Sequence, residues 1–250
     1  MIKAFWMFLW AVSTVYAAPV PPTPLAGGIE PDLQLRFIQD RGPVVLLGEM
    51  GVTAQTEQRR HSRASVGAYW VPDDHVKLGV FYRKAFGLLH DEDWFSENGT
   101  WRWRDTRNRG EDHWIFDFTP RTRILETESL SLVGEVKSRF IWNPTWIHRT
   151  LFVRPGMTVF FSQGGSPVLS AFLQYEFNFA LGRSGRTLPE KWLYLGILKP
   201  LTPGMEIGIQ SAIQWQSWGA TPAYLAKGGT AYEIDTTTLN LGLLWIFRIP

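Results

Sequence analysis

Cysteine is absent from the 250 residues, which excludes disulfides, thiolate metal sites and a cysteine nucleophile. The five histidines, at 61, 75, 90, 113 and 148, lack paired metal-ligand spacing, and no calcium-loop motif is present. Past residue 18 no apolar run approaches the roughly 20 residues that a spanning helix needs. An excess of one charge is also missing. The 25 Lys and Arg face 23 Asp and Glu, so the net charge of +2 points to no nucleic acid or other polyanion. Nothing in the chain implies a cofactor.

What is present is aromatic, exported and periodic. The chain holds 13 Trp, and aromatic girdles at a membrane interface are one physical reason for such a bias. At the N-terminus Lys3 precedes a mostly apolar stretch from Ala4 to Val15, and Val15-Tyr16-Ala17 puts small residues at a cleavage site. This predicts a secretory signal peptide over residues 1–17. Residues 18–30, with Pro19, Pro21, Pro22, Gly27 and Gly28, read as an extended linker, and residues 31–250 as one all-β unit.

From residue 31 onward the chain alternates with period two, block after block, between turn residues. In 205–215 the odd positions are Met205, Ile207, Ile209, Ser211, Ile213 and Trp215, against Glu206, Gly208, Gln210, Ala212 and Gln214. Nine similar blocks bring the count to ten strands, with residues 33–39 a further amphipathic candidate that makes twelve if it has a partner. Short connections at 72–74, 120–123, 163–167 and 200–204 alternate with longer polar ones. That asymmetry predicts a transmembrane antiparallel up-and-down β-barrel, with tight turns and both termini on the periplasmic side.

The rival is a soluble barrel with its apolar face inward. The opposite face here carries Glu49, Arg63, Lys77, Arg83, Asp117, Glu135, Lys137, Arg139, Arg154, Glu176, Glu206 and Arg248 among Gly, Ser, Gln and Thr, a mixture suited to lining a lumen. Trp70, Trp142, Trp192, Trp215 and Trp245 stand at strand ends, as interfacial girdles do.

The last strand adds a resemblance. Asn240, Gly242, Trp245 and Phe247 fall where the assembly signal of bacterial outer-membrane β-barrel proteins places a polar residue, a glycine and two hydrophobics. The chain departs from that pattern by running on through Arg248 to Pro250. The stretches Lys191–Gly196, the following PLTPG turn and Arg149–Arg154 are also loosely similar to an uncharacterised proteobacterial outer-membrane barrel family. The resemblance implies the outer membrane of a Gram-negative bacterium, with its lipid and lipopolysaccharide and the barrel assembly machinery as partners. It implies no reaction.

Functionally, the mixed lumen charges point to a narrow passive channel, porin-like, for small solutes. One alternative is a sealed barrel whose loops bind lipopolysaccharide or a partner. For that role the string Trp101, Arg102, Trp103 and Arg104 pairs aromatic with cationic side chains, unless it is a plain hairpin arm. A lipid hydrolase or protease is the other alternative. His90, Asp91, Glu92 and Asp93 would have to meet Glu111, Asp112 and His113, or His61 would have to act on Ser62 or Ser65. The sequence marks no catalytic residue.

Overall fold

Alternation of apolar and polar residues over ten or more positions suits long extended strands paired side by side, with one face apolar. The computed structural model describes residues 28–54, 60–87, 94–97, 100–103, 109–144, 148–181, 190–219, 225–226, 231 and 233–250. The predicted signal peptide and nearly all of the linker lie outside these residues.

Thirteen strands form among the described residues: β1 (Ile29–Arg41), β2 (Val44–Ala54), β3 (Arg60–Trp70), β4 (Val76–Phe86), β5 (Trp94–Glu97), β6 (Thr100–Trp103), β7 (Gly110–Glu126), β8 (Leu130–Asn143), β9 (His148–Gln163), β10 (Ser166–Ala180), β11 (Glu190–Thr202), β12 (Met205–Gly219) and β13 (Glu233–Ile249). Eleven close a barrel, each beside its neighbour in the chain, while β5 and β6 pair as a separate hairpin between β4 and β7.

The strand number differs from the expected ten or twelve. Residues 33–39 belong to β1, which pairs antiparallel with β2 on one side and parallel with β13 on the other, from Ile29 beside Leu239 to Gln39 beside Ile249. A parallel seam needs no hairpin, so β1 requires no further partner strand. An odd count also sends the two chain ends of the barrel to opposite rims. Ile29 enters at the rim with the long connections, and Ile249 leaves at the rim with the short turns. The expectation that both ends share one rim is thereby corrected.

A second correction concerns residues 120–123, read as a turn. They continue β7, which runs to Glu126 and folds back only at residues 127–129, where the Thr127 N–H donates to the Leu130 carbonyl at 2.8 Å. Pro120 is tolerated within the strand because β4 ends beside it, at the Val76 pairing. The turn between β9 and β10 follows expectation. Gly164 and Gly165 take φ of 58° and 78°, the left-handed values that a two-residue hairpin turn requires.

The barrel is inside out relative to a soluble protein. Large apolar side chains face outward and remain exposed, Ile209 by 68% and Val66 by 63%, while Asp117 inside is 4% exposed. Part of the interior is itself apolar. Tyr69, Phe81 and Ile115 form a cluster flanked by Val45, Leu47 and Ile141. Gly67 and Gly79 make it possible, since a Cβ there would lie 2.4 Å from the Phe81 ring and 2.6 Å from the Tyr69 ring.

Candidate functional site

The inward positions of the strands stack charged side chains into a lattice that crosses the lumen. Asp117 on β7 is its best-connected member. It accepts from Arg139 Nε and Nη2 at 2.7 and 2.8 Å and from the Tyr69 hydroxyl at 2.9 Å, with Lys137 Nζ 3.5 Å away. The register puts Asp117 directly opposite Arg139, so the fork closes across a single strand pair. Lys137 also donates to the Tyr69 hydroxyl at 3.1 Å and stands over its ring, as does Lys77 at 4.7 Å from the centroid.

Further around the wall, Glu49 receives Arg36 at 3.0 Å and lies 3.6 Å from Arg63, which in turn lies 3.8 Å from Asp32. Asp32 is held by Thr53 at 2.9 Å and by Gln34 at 2.5 Å. Arg154 donates to Glu176 at 2.6 Å and stacks on the Tyr194 ring. Nearer the short-turn rim Arg248 joins Glu206 at 2.8 Å and Asp40 at 3.8 Å.

Two hubs lie towards the long-connection rim. Glu190 accepts from Asn178 and Gln214, each at 2.5 Å, and from Trp192 Nε1 at 2.7 Å. Glu111, fully buried, accepts from Asn143 at 2.7 Å and lies 3.3 Å from His113 Nε2. Beside them, Arg83 Nε and His113 Nδ1 have no hydrogen-bond partner among the described residues.

All twelve residues that the sequence nominates for the lumen occupy inward positions. Strand parity alone sorts them, because side chains at i and i+2 share a face. It missed Asp32, Gln34 and Arg36, although they alternate with Leu33, Leu35 and Phe37 as in every other strand. Asn143 and Glu190 were also missed, because β8 and β11 reach into stretches that read as connections. Trp192 is the exception among the girdle candidates. It faces inward, stacked on Tyr194 at 5.5 Å, whereas Trp70, Trp142, Trp215 and Trp245 are exposed.

The catalytic groupings do not assemble among the described residues. Asp112 and His113 are adjacent in a strand and so point to opposite sides: Asp112 accepts from Lys84 at 2.8 Å and from the Tyr82 hydroxyl on the outer wall, while His113 faces Glu111 inside. His61 and Ser62 diverge in the same way, and Ser65 is four residues further along β3, about 13 Å away. His90 to Asp93 and Arg104 lie outside the described residues. Trp101, Arg102 and Trp103 belong to β6, which pairs antiparallel with β5.

In the last strand Trp245 and Phe247 face outward, and Asn240 and Gly242 inward. Gly242 has a local reason to lack a side chain: a Cβ there would come within 2.9 Å of Gln210 Cγ and 3.4 Å of the Asp32 carbonyl. Gln210 crosses that gap to approach Asp32 at 3.4 Å, so the glycine lets β12 and β1 meet over β13. No protein-family model matches this chain, and none of the curated proteins matches it in sequence.

Proposed function

We propose that this chain is a small β-barrel of the bacterial outer membrane and a narrow passive channel, held almost shut by its own lumen charges. The observation that carries the reading is the inversion of the sheet. A water-facing wall would not leave Ile209 and Val66 bare while enclosing Asp117, Glu176 and Glu111. The tryptophans support it, since Trp114, Trp142 and Trp215 stand towards the long-connection rim and Trp70 and Trp245 towards the other. Such a pair of levels suits the two faces of a bilayer.

Eleven strands exceed by little the number whose interior side chains can fill. The paired charges and the Tyr69 cluster occupy that space, so the pore passes small ions at most. Arg83 Nε, without a hydrogen-bond partner among the described residues, favours anions. Heat-modifiable migration of membrane-extracted protein tests the barrel in its membrane, and planar-bilayer recording tests the path. Absence of any conductance above background would remove the channel.

A second reading keeps the barrel sealed and assigns its action to the long-connection rim. It draws on Lys84, Tyr82 and Asp112, an outward polar trio in which Tyr82 pairs opposite Trp114 and Lys84 pairs opposite Asp112, two residues nearer the rim. A cation at that level faces lipid headgroups, including lipopolysaccharide phosphates. Lys84→Glu should abolish such binding and leave the barrel folded.

A further inference from the structure

The lumen lattice passes Arg83 by. Asp117 is taken up by Arg139 and Lys137, and Glu49 by Arg36 and Arg63. Arg83 stands inward on β4, between the strands that carry those two acids, yet no acid makes an ion pair with it among the described residues. Five buried side-chain atoms lack a hydrogen-bond partner among the described residues, and two of them are Arg83 Nε and His113 Nδ1. Their residues face each other directly across β4 and β7, with about 5 Å between Cβ atoms. His113 is only 8% exposed.

Both atoms are donors. An arginine Nε always carries its hydrogen. For His113 the neighbours decide. Asn143 Nδ2 lies 2.7 Å from Glu111 Oε2 and 3.1 Å from His113 Nε2, so the amide turns its N–H groups to both. An Nε2 that accepts from Asn143 leaves the ring proton on Nδ1, and a protonated ring carries one there as well. Glu111 meets the ring at Nε2 and not at Nδ1, so its carboxylate does not satisfy the free donor. On the other flank Ser65 stands opposite Arg83 and adds a hydroxyl at the same level.

We propose that Arg83 and His113 hold one small anion of halide size between them, at a station in the lumen towards the long-connection rim. A buried donor without an acceptor forfeits the hydrogen bond that water gave it, and here two such donors are neighbours. A neutral acceptor would satisfy both hydrogens and still leave the guanidinium's charge uncompensated, whereas an anion answers hydrogens and charge together. A halide suits the enclosure, because both nitrogens are buried and their residues are direct neighbours across one strand pair. The site deepens the channel reading above and rests on it for the anion's way in.

Chloride NMR line broadening on the full chain, refolded in a neutral detergent, reads the site without a membrane. The protein should broaden the chloride line beyond the detergent blank, and added bromide should remove that excess saturably. Absence of a saturable excess overturns the site, whatever bilayer recordings show. Absence of conductance with chloride binding intact removes the channel and leaves the site. Arg83→Gln, checked for heat-modifiable folding, should weaken chloride binding about tenfold or more, the scale of a hydrogen bond to a charged group. Lys199→Gln takes the same charge from the exposed outer wall and should leave the affinity unchanged. Equal loss in both variants makes the binding a general charge effect and overturns the site. His113→Phe should also weaken binding, and an unchanged affinity there overturns the shared donor. In the unsubstituted protein, phosphate that displaces chloride at lower concentration than bromide overturns the choice of a halide-sized anion.

Discussion

Ile209→Lys separates a lipid-facing wall from a water-facing one. Ile209 is exposed by 68% and lies in the middle of the outer face, flanked by Ile197 on β11 and Leu243 on β13. It stands four residues above Met205 at the short-turn rim. At about 3.3 Å per residue and a tilt of about 40°, it is about 10 Å into an apolar band about 25 Å tall. That depth is near the midplane, where a lysine costs about 2–4 kcal/mol. Were the same wall in water, the substitution would remove an exposed isoleucine and change stability by no more than about 0.5 kcal/mol. Reversible urea unfolding in lipid vesicles, followed by tryptophan fluorescence, reads the difference. Met205→Lys at the rim is the control, with a cost of about 0–1 kcal/mol expected near an interface. An Ile209→Lys protein as stable in vesicles as its parent would refute the lipid-facing assignment, and with it the proposed channel.

Asp117→Asn should destabilise the barrel by about 3–5 kcal/mol in the same unfolding assay, because Arg139 and Lys137 are left without their carboxylate. In bilayer recordings the same variant should conduct more than its parent, with stronger anion preference. A silent or unchanged trace would show that the lattice does not close the path. The odd strand number predicts that an epitope placed just before Ile29 is reached by antibody in intact cells, whereas one after Pro250 is reached only after permeabilisation. Labelling of both in intact cells, or of neither, would contradict the parallel β1–β13 seam. Gly242→Val should lower the heat-modifiable fraction and cost about 1–3 kcal/mol, since its side chain displaces Gln210 and presses on the Asp32 carbonyl. Recovery in Gly242→Val/Gln210→Ala would confirm that crowding, and not a lost assembly signal, is the cause.

The strands, their faces and most lumen charges were legible in the chain because a β-strand projects alternate side chains to opposite sides. Leu239, Leu241, Leu243, Trp245 and Phe247 therefore share a face whatever they pair with, and Arg63, Lys77 and Asp117 fall on the other. Parity is a local property, and a local pattern suffices to state it. The same local view could not see Trp192 turn inward, because residues 191–199 are apolar on both faces and only the Glu190 hub decides their orientation. Nor could it separate a strand end from a connection at Asn143, where a partner strand extends the pairing.

Closure was decided by tertiary structure alone. Whether residues 33–39 stand outside the sheet, start a hairpin or complete the ring depends on which edge they meet, and alternation is the same in all three cases. Parallel pairing with β13 satisfies both edge strands at once, makes the barrel eleven-stranded and separates its chain ends. The pairing of charges depends on it too. Arg36 reaches Glu49 and Asp32 meets Arg63 only once β1 lies in the wall. The sequence by itself determined which residues share a face, since that follows from the pleat of each strand. Only the closed sheet decided which of them meet, since that depends on register around the ring.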